Sequence, residues 1–171
     1  SVQLVDVVER IIKSLEPVHP ETVLVMVREI WSVTRMSAQR RDRFDQAVNS
    51  LLRQDRVTRD RFGFLWGNKA MEFVVRVPTD DEKTFRRVAH VSPDEIKLAM
   101  FYLAKDARSL ATDVLYSRTA KLFHWKMVDE TRLAFDRAFS ELITSDSLIL
   151  EPNLAGETVV RPSDDEFPDL S

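Results

Sequence analysis

The sequence predicts a mainly α-helical fold with short β-hairpins (an α+β class), built from one small unit that occurs twice. Residues 23–55, moved along the chain by 91, align with residues 114–146 and are identical at nine positions. In each half, apolar residues recur three or four positions apart in successive stretches, which is the spacing of amphipathic helices. Each set of stretches precedes two short runs that are typical of strands joined by a turn. The identical pairs are Val23/Val114, Leu24/Leu115, Met36/Met127, Arg41/Arg132, Phe44/Phe135, Asp45/Asp136, Ala47/Ala138, Leu51/Leu142 and Asp55/Asp146.

In the first half, an amphipathic helix ends before Pro17 and Pro20, and the second helix starts at Pro20 because proline is tolerated in a first helical turn. Ser37 is a plausible N-cap for a third helix. Residues 56–58 and 62–66 are predicted strands, with a turn at 59–61. The predicted inward residues of these helices are Val5, Val8, Ile11, Ile12, Leu15, Val23, Leu24, Val27, Ile30, Trp31, Phe44, Ala47, Val48, Leu51 and Leu52.

The second half repeats this order. Ser92 is the predicted cap of a helix that has Pro93 at its first position, and Glu95, three residues on, would complete a capping box. Further helices are predicted at about 111–123 and 128–145, and strands at 148–151 and 158–161 flank a turn at 152–156. The predicted inward residues are Ile96, Ala99, Met100, Leu103, Phe135, Ala138, Phe139, Leu142 and Ile143.

Three helices followed by a hairpin is the layout of a winged helix, a helix-turn-helix with a β wing. The sequence therefore predicts a tandem winged-helix repeat. We expect the first unit at 1–67, a linker or bridging strand at 68–91, the second unit at 92–162, and an acidic disordered tail at 163–171.

Composition narrows the class of protein. The chain has 171 residues, 44% hydrophobic and 31% charged, which is typical of a soluble, helix-rich protein. It has no cysteine, which excludes disulfides and thiolate sites. No apolar run approaches the roughly 20 residues of a membrane span, and no signal peptide opens the chain, so we expect a cytoplasmic protein without a membrane contact. Because the chain begins with serine, we expect it to be a piece of a longer protein.

The charge is distributed unevenly between the two halves. The net charge of the chain is −3, but residues 35–62 contain eight arginines against four aspartates. Residues 92–162 contain nine basic and eleven acidic residues, and four more acids follow Ser163. This asymmetry is the main indication of function, because a basic segment suits an anionic partner such as nucleic acid.

Three blocks of sequence resemble a C-terminal domain of unassigned function found in large bacterial helicase-like proteins. They are EPVH at 16–19, FLW at 64–66, and VRVP at 75–78 followed by VSPDEI at 91–96, and the resemblance covers about residues 5–162. The parent proteins are similar to superfamily-one ATPases with a nuclease-like domain. The resemblance implies that the parent protein uses ATP and acts on DNA, but it does not place those activities in this chain.

The residues offer little for catalysis. Three glycines cannot build a phosphate-binding or dinucleotide-binding loop, and the three histidines are far apart in sequence. A nuclease needs acidic residues converging on a metal ion, and no predicted strand is placed to supply them. We therefore expect no catalytic residue, no metal, no cofactor and no small-molecule substrate in this chain.

Binding of duplex DNA by the first unit is the favoured function. The third helix of a winged helix can lie in the major groove while basic residues of the wing meet phosphates. Arginine and glutamine suit the edges of guanine and adenine. The alternative is that this face only keeps the helix soluble, with Asp42, Asp45, Asp55 and Asp60 pairing with the arginines. The candidate contacts are Arg35, Gln39, Arg43, Gln46, Arg53, Arg56, Arg59 and Arg61.

The second unit lacks this pattern. Its equivalent outer positions are Glu130, Ala134, Arg137 and Thr144, with Asp129 and Glu141 beside them, so we expect protein contact or packing there. A protein-interaction or dimerisation module, with DNA handled elsewhere in the parent protein, is therefore the alternative function. Arg41 and Arg132, which occur in both copies, are expected to be structural arginines that pair with an acid or cap the preceding turn.

Overall fold

The computed structural model describes residues 3–67 and 73–163. Contacts divide the chain into two compact units, Ser1–Glu72 and Phe73–Ser171. In the described residues the protein is mainly helical with two small antiparallel hairpins, and each unit contains three α-helices followed by one hairpin. Residues 68–72 of the predicted linker and 164–171 of the predicted tail lie outside the described residues.

The first unit closes its helices around one apolar core. Its elements are α1 Leu4–Leu15, α2 Pro20–Ile30, α3 Ala38–Arg53, β1 Thr58–Arg59 and β2 Leu65–Trp66. The imidazole of His19 accepts a hydrogen bond from the Glu21 amide (3.2 Å), and the Ser37 hydroxyl accepts one from the Arg40 amide (3.3 Å). These caps give partners to amides that a helix start leaves open. The core residues are Val8, Ile11, Ile12, Val18, Val23, Leu24, Val27, Phe44, Ala47, Val48, Leu51, Val57 and Leu65.

Two details of the first unit differ from the prediction. Ile30 and Trp31 were predicted to face inward but are exposed, because α2 ends at Ile30 and its last turn extends past the core. The hairpin is also shorter than predicted: the strands contain two residues each, and the turn lies at 60–64 rather than 59–61. The backbone of Leu65 is held instead by Val18, which precedes α2, through two hydrogen bonds (3.0 and 2.9 Å).

The second unit has longer strands and a larger core. Its elements are α4 Pro93–Ala107, α5 Thr112–Leu122, α6 Asp129–Thr144, β3 Leu148–Pro152 and β4 Thr158–Pro162, with short 3-10 helices at Glu82–Thr84 and Val88–His90. The hairpin pairs antiparallel along its full length, from Leu148 opposite Pro162 to Pro152 opposite Thr158. The helices enclose a core that includes Met100, Phe101, Leu115, Phe123, Phe135 and Leu142.

The two units contain the same order of elements, but the offset between equivalent elements is not constant. α3 and α6 begin and end 91 residues apart, as the alignment predicts, whereas α2 and α5 are 92 apart. Val23 and Leu24, both buried, therefore correspond to Leu115 and Tyr116, and the identity of Val23 with Val114 is coincidental. Val114 is in fact exposed, because one residue is missing from the loop that follows α5.

Asp55 and Asp146 end equivalent helices in the same way. Both have a positive φ (54° and 57°), a backbone conformation that aspartate tolerates better than most residues. In each case the amide of the next residue donates a hydrogen bond to the carbonyl five residues before it. Arg56 donates to Leu51 (3.0 Å), and Ser147 donates to Leu142 (2.9 Å). This is the Schellman arrangement of a helix end, which explains why an aspartate occurs in both copies.

The segment 73–91 forms no β-strand and belongs to the second compact unit. Its anchor is Glu95, whose carboxylate is fully buried and accepts two hydrogen bonds from the Arg86 guanidinium (2.7 and 2.8 Å). The same carboxylate accepts a hydrogen bond from the Arg76 amide (2.8 Å). The capping-box role predicted for Glu95 is therefore wrong, because arginines from the preceding segment compete for its carboxylate.

Candidate nucleic-acid interface

One face of α3 carries four of the residues predicted to contact DNA. Gln39, Arg43, Gln46 and Arg53 are separated by four, three and seven positions, a spacing that places them on one side of a helix. All four are exposed, and the opposite side is buried in the core. The rest of the predicted set, apart from Arg56, is also exposed: Arg35 before α3, Arg59 in β1 and Arg61 in the turn.

Arg56 differs from the other predicted contacts. It is half-buried, and its guanidinium forms ion pairs with Asp6 (3.3 Å) and Glu9 of α1. Hydrogen bonds from Lys13 and then from Arg56 lower the pKa of the Glu9 carboxyl, so this carboxylate stays charged beside the arginine. Arg56 therefore ties the start of the first hairpin to α1, and its charge is already paired within the unit.

Arg41 is also used inside the unit. Its guanidinium pairs with Glu21 in the first turn of α2, which raises the pKa of Arg41, and this agrees with the structural role predicted for it. The counterparts in the second unit are Arg132 and Asp113, given the offsets of 91 and 92. Asp113 is one methylene shorter than Glu21, and no ion pair joins it to Arg132 among the described residues. The two side chains instead line an open groove of about 440 Å³.

The remaining arginines are available for a ligand. Among the described residues, Arg35, Arg40, Arg43, Arg53 and Arg59 form no ion pair. The basic segment thus divides into two arginines that stabilise the fold and a larger group whose charges face solvent. The aspartates suggested as partners for these arginines are used differently: Asp55 ends a helix, and Asp42 and Asp45 lie exposed on α3.

The Asp60 carboxylate fixes the turn of the first hairpin. One oxygen of its carboxylate accepts hydrogen bonds from the amides of Phe62 (2.9 Å) and Phe64 (3.0 Å), and the other accepts one from the indole of Trp66 (2.9 Å). Gly63 completes the turn with φ 86°, a value that favours glycine. Asp60 is therefore a structural residue, because its carboxylate accepts hydrogen bonds from three N–H groups of the hairpin.

The second hairpin repeats this turn with different residues at its tip. The Asn153 side-chain oxygen accepts hydrogen bonds from the amides of Ala155 (2.9 Å) and Glu157 (3.0 Å), and Gly156 has φ 79°. The turns match residue for residue at an offset of 93. Their tips differ: Arg61 and Phe62 stand in the first turn where Leu154 and Ala155 stand in the second.

Sequence reasoning missed the turn residues of the first wing. An Asp-x-x-Gly pattern between two predicted strands, repeated as Asn-x-x-Gly in the second half, was the available signal. These residues are 93 positions apart and so do not align at the offset of 91 that relates the third helices.

Exposed apolar residues occur at and near the start of α6 where the first unit has polar ones. Leu133 is 52% exposed and occupies the position of Asp42, and Val128 is 53% exposed and occupies that of Ser37. The predicted outer residues Glu130, Arg137 and Thr144 are exposed, and Ala134 is half-buried. The two units therefore present chemically different faces on equivalent helices.

Comparisons with known proteins give no family. No protein-family model, curated protein or solved structure matches the chain. In the described part of the chain, no group of three or more His, Asp or Glu side chains is placed to hold a metal ion, and no helix is long and apolar enough to cross a membrane.

Proposed function

We propose that this chain is a non-catalytic DNA-binding module with two winged-helix units, in which the first unit contacts duplex DNA. The observation that supports this most is the division of the arginines. Arg41 and Arg56 are neutralised by carboxylates of α2 and α1, while Arg43 and Arg53 on the outer face of α3 and Arg59 in β1 form no ion pair among the described residues. Unpaired cations on one surface attract a polyanion, since each phosphate contact releases counterions.

In the proposed complex, the outer face of α3 lies in the major groove. Gln39 and Arg43, near its start, would meet base edges, since arginine and glutamine form bidentate contacts with guanine and adenine. Arg35 precedes the helix and Arg53 ends it, so these two would contact phosphates on either side. Arg59 of the wing would contact the backbone beyond the groove.

The resemblance to helicase-like proteins agrees with an accessory role of this kind. In such a protein, ATP use and any cleavage of DNA would belong to other domains, and this module would position the enzyme on its substrate. That assignment stays a prediction, and it makes DNA binding by the isolated chain the property to measure first.

The test is fluorescence anisotropy with a labelled duplex at several salt concentrations. If Arg35, Arg53 and Arg59 each neutralise one phosphate, log K falls against log salt with a slope of about −2.7, or roughly 40-fold between 50 and 200 mM. Replacing Arg43 or Arg59 with Glu should weaken binding at least tenfold.

Arg137→Glu in α6 is the matched control, because it makes the same charge change on the equivalent helix of the second unit. Circular dichroism confirms that each variant is folded. Absence of binding at 50 mM salt, or equal losses in Arg43→Glu and Arg137→Glu, would show that the first unit is not the DNA contact.

A second candidate function is self-association through α6. Met127 and Val128, just before this helix, and Leu133 within it are 37%, 53% and 52% exposed, and a group of exposed apolar residues can mark a protein–protein interface. Sedimentation velocity over a range of concentrations tests it. Leu133→Asp, which copies the residue of α3, should abolish any dimer, and a chain that is monomeric at all concentrations excludes this function.

A further inference from the structure

The tip of the first wing exposes an aromatic ring beside a cation. Phe62 is 36% exposed, and the guanidinium carbon of Arg61 lies 4.6 Å from the centre of its ring, the geometry of a cation–π contact. The core of the first unit does not require either residue. The ring and the guanidinium therefore lie together at the end of the hairpin, outside the core.

The turn that carries these residues is held in place. Its backbone is fixed by the Asp60 carboxylate, which also binds the Trp66 indole, and by a hydrogen bond from the Gly63 amide to the Asp60 carbonyl (3.0 Å). A ring on such a turn loses little freedom when it meets a ligand, so stacking there costs little conformational entropy.

The second turn is a natural control for this one. It has the same hydrogen bonds around Asn153 and the same glycine conformation, yet its tip residues are Leu154 and Ala155. The fold therefore accepts aliphatic residues at the tip. The aromatic and cationic pair in the first unit is an addition to the turn and is not part of what forms it.

We propose that Phe62, backed by Arg61, stacks on an unpaired nucleobase, so that the first unit recognises DNA in which a base face is exposed next to a duplex. This inference rests on the proposed DNA-binding function and specifies its substrate. Aromatic side chains stack on any base, because every base has a π-face, and arginine adds a cation–π contribution. Continuous duplex offers no such face without the cost of unstacking a base step.

The sharpest test compares two forked duplexes with identical phosphates. One has unpaired arms with normal bases, and the other has the same arms with abasic sites. We expect the normal fork to bind about 5- to 160-fold more tightly, which corresponds to about 1–3 kcal/mol for one stacked base. A 2-aminopurine at the first unpaired position should lose fluorescence on binding, which reports stacking directly.

Variants then assign the effect to the wing tip. Phe62→Tyr should keep the preference, while Phe62→Leu should reduce the ratio of the two affinities to about one. The double change Arg61→Leu with Phe62→Ala, which copies the second turn, should do the same. The affinity for the abasic fork should change little in the two Phe62 single variants, because the phosphates of that fork still contact the α3 arginines.

The outcomes separate this inference from the proposed function. Salt-dependent binding to both forks with equal affinity overturns the stacking role and leaves DNA binding intact. A preference for normal bases that persists in Phe62→Leu also overturns it, since the aromatic ring is then not its source. Failure to bind either fork at low salt overturns the proposed function itself and the stacking role with it.

Discussion

Removing the charge of Glu95 should destabilise the second unit more than any other single change of a carboxylate to an amide in it. Glu95 is fully buried, and Arg86 and Arg76 face it, with the Arg76 guanidinium at 3.9 Å. Burial, followed by repulsion from Arg86, lowers the pKa of Arg76 to about 10, so the cluster depends on the Glu95 charge for compensation. In Glu95→Gln one amide group would donate toward a guanidinium that is itself a donor.

The size of the effect follows from these contacts. Loss of one partner from a buried ion pair costs about 3–5 kcal/mol, because the remaining charge stays buried without compensation. Glutamine keeps one acceptor for the Arg76 amide, so we expect the lower end, about 3 kcal/mol. For a unit of this size, that corresponds to a fall in the urea midpoint of about 2 M.

The assay is urea unfolding followed by the fluorescence of Trp125, with Trp31 and Trp66 replaced by Phe in every variant. Trp125 belongs to the second unit and donates a hydrogen bond to the Arg86 carbonyl (2.6 Å), so it reports the region concerned. Glu151→Gln is the matched control.

Glu151 pairs with Arg161 on the surface of the same unit, and both side chains are about 40% exposed. An exposed pair contributes about 0–1 kcal/mol, so its loss should shift the midpoint by less than ~0.7 M. Equal shifts in Glu95→Gln and Glu151→Gln would refute the reasoning, since burial would then make no difference to the cost.

Three further predictions follow from the first unit and the groove. Asp42→Asn removes a carboxylate from the outer face of α3 and should strengthen duplex binding about two- to fivefold in anisotropy titrations, with the largest gain at low salt. Arg56→Met should lower the thermal midpoint of the first unit and weaken DNA binding less than Arg59→Met does, because its charge is already neutralised by α1. Burial and a hydrogen bond to Asp136 (2.8 Å) raise the pKa of the Tyr116 phenol. The stability that the Tyr116 phenol contributes is therefore complete when the pH is below the ordinary phenol pKa of about 10, and it is lost as the pH rises above that value. The stability difference between wild type and Tyr116→Phe should shrink by up to about 1.4 kcal/mol per pH unit there, as measured by urea unfolding at pH 9–11.

The helices could be predicted from the sequence because their signals are local. Pro20, Ser37 and Ser92 mark helix starts, and the apolar spacing around Phe44 and Phe135 defines inner faces, so the predicted ends lie within about two residues of those observed. The Asp55/Asp146 identity also had a local cause in the backbone conformation of a helix end. Patterns of this kind need no knowledge of what lies across the core.

The parts that were missed depend on partners distant in sequence. Glu95 matches a capping box, but Arg76 and Arg86 bind its carboxylate, and only the folded chain brings them together. Arg56 looked like another wing arginine, and its partners are 47 and 50 residues away in α1. The spacing of residues can thus predict on which face of a helix a charged side chain lies. It cannot predict whether that charge is neutralised by a partner.

The residues that the two units share and the residues in which they differ have different explanations. Both copies use an Asx side chain and a glycine to build the wing turn, and both end the third helix on an aspartate, so these shared residues are explained by the backbone. What differs lies at solvent-exposed positions on the same supports: Asp42 against Leu133, Gln39 against Glu130, and Phe62 against Ala155. Since the fold tolerates either member of each pair, folding does not decide between them. The exposed cations and the aromatic tip of the first unit are therefore the features on which the proposed binding of a nucleic acid depends.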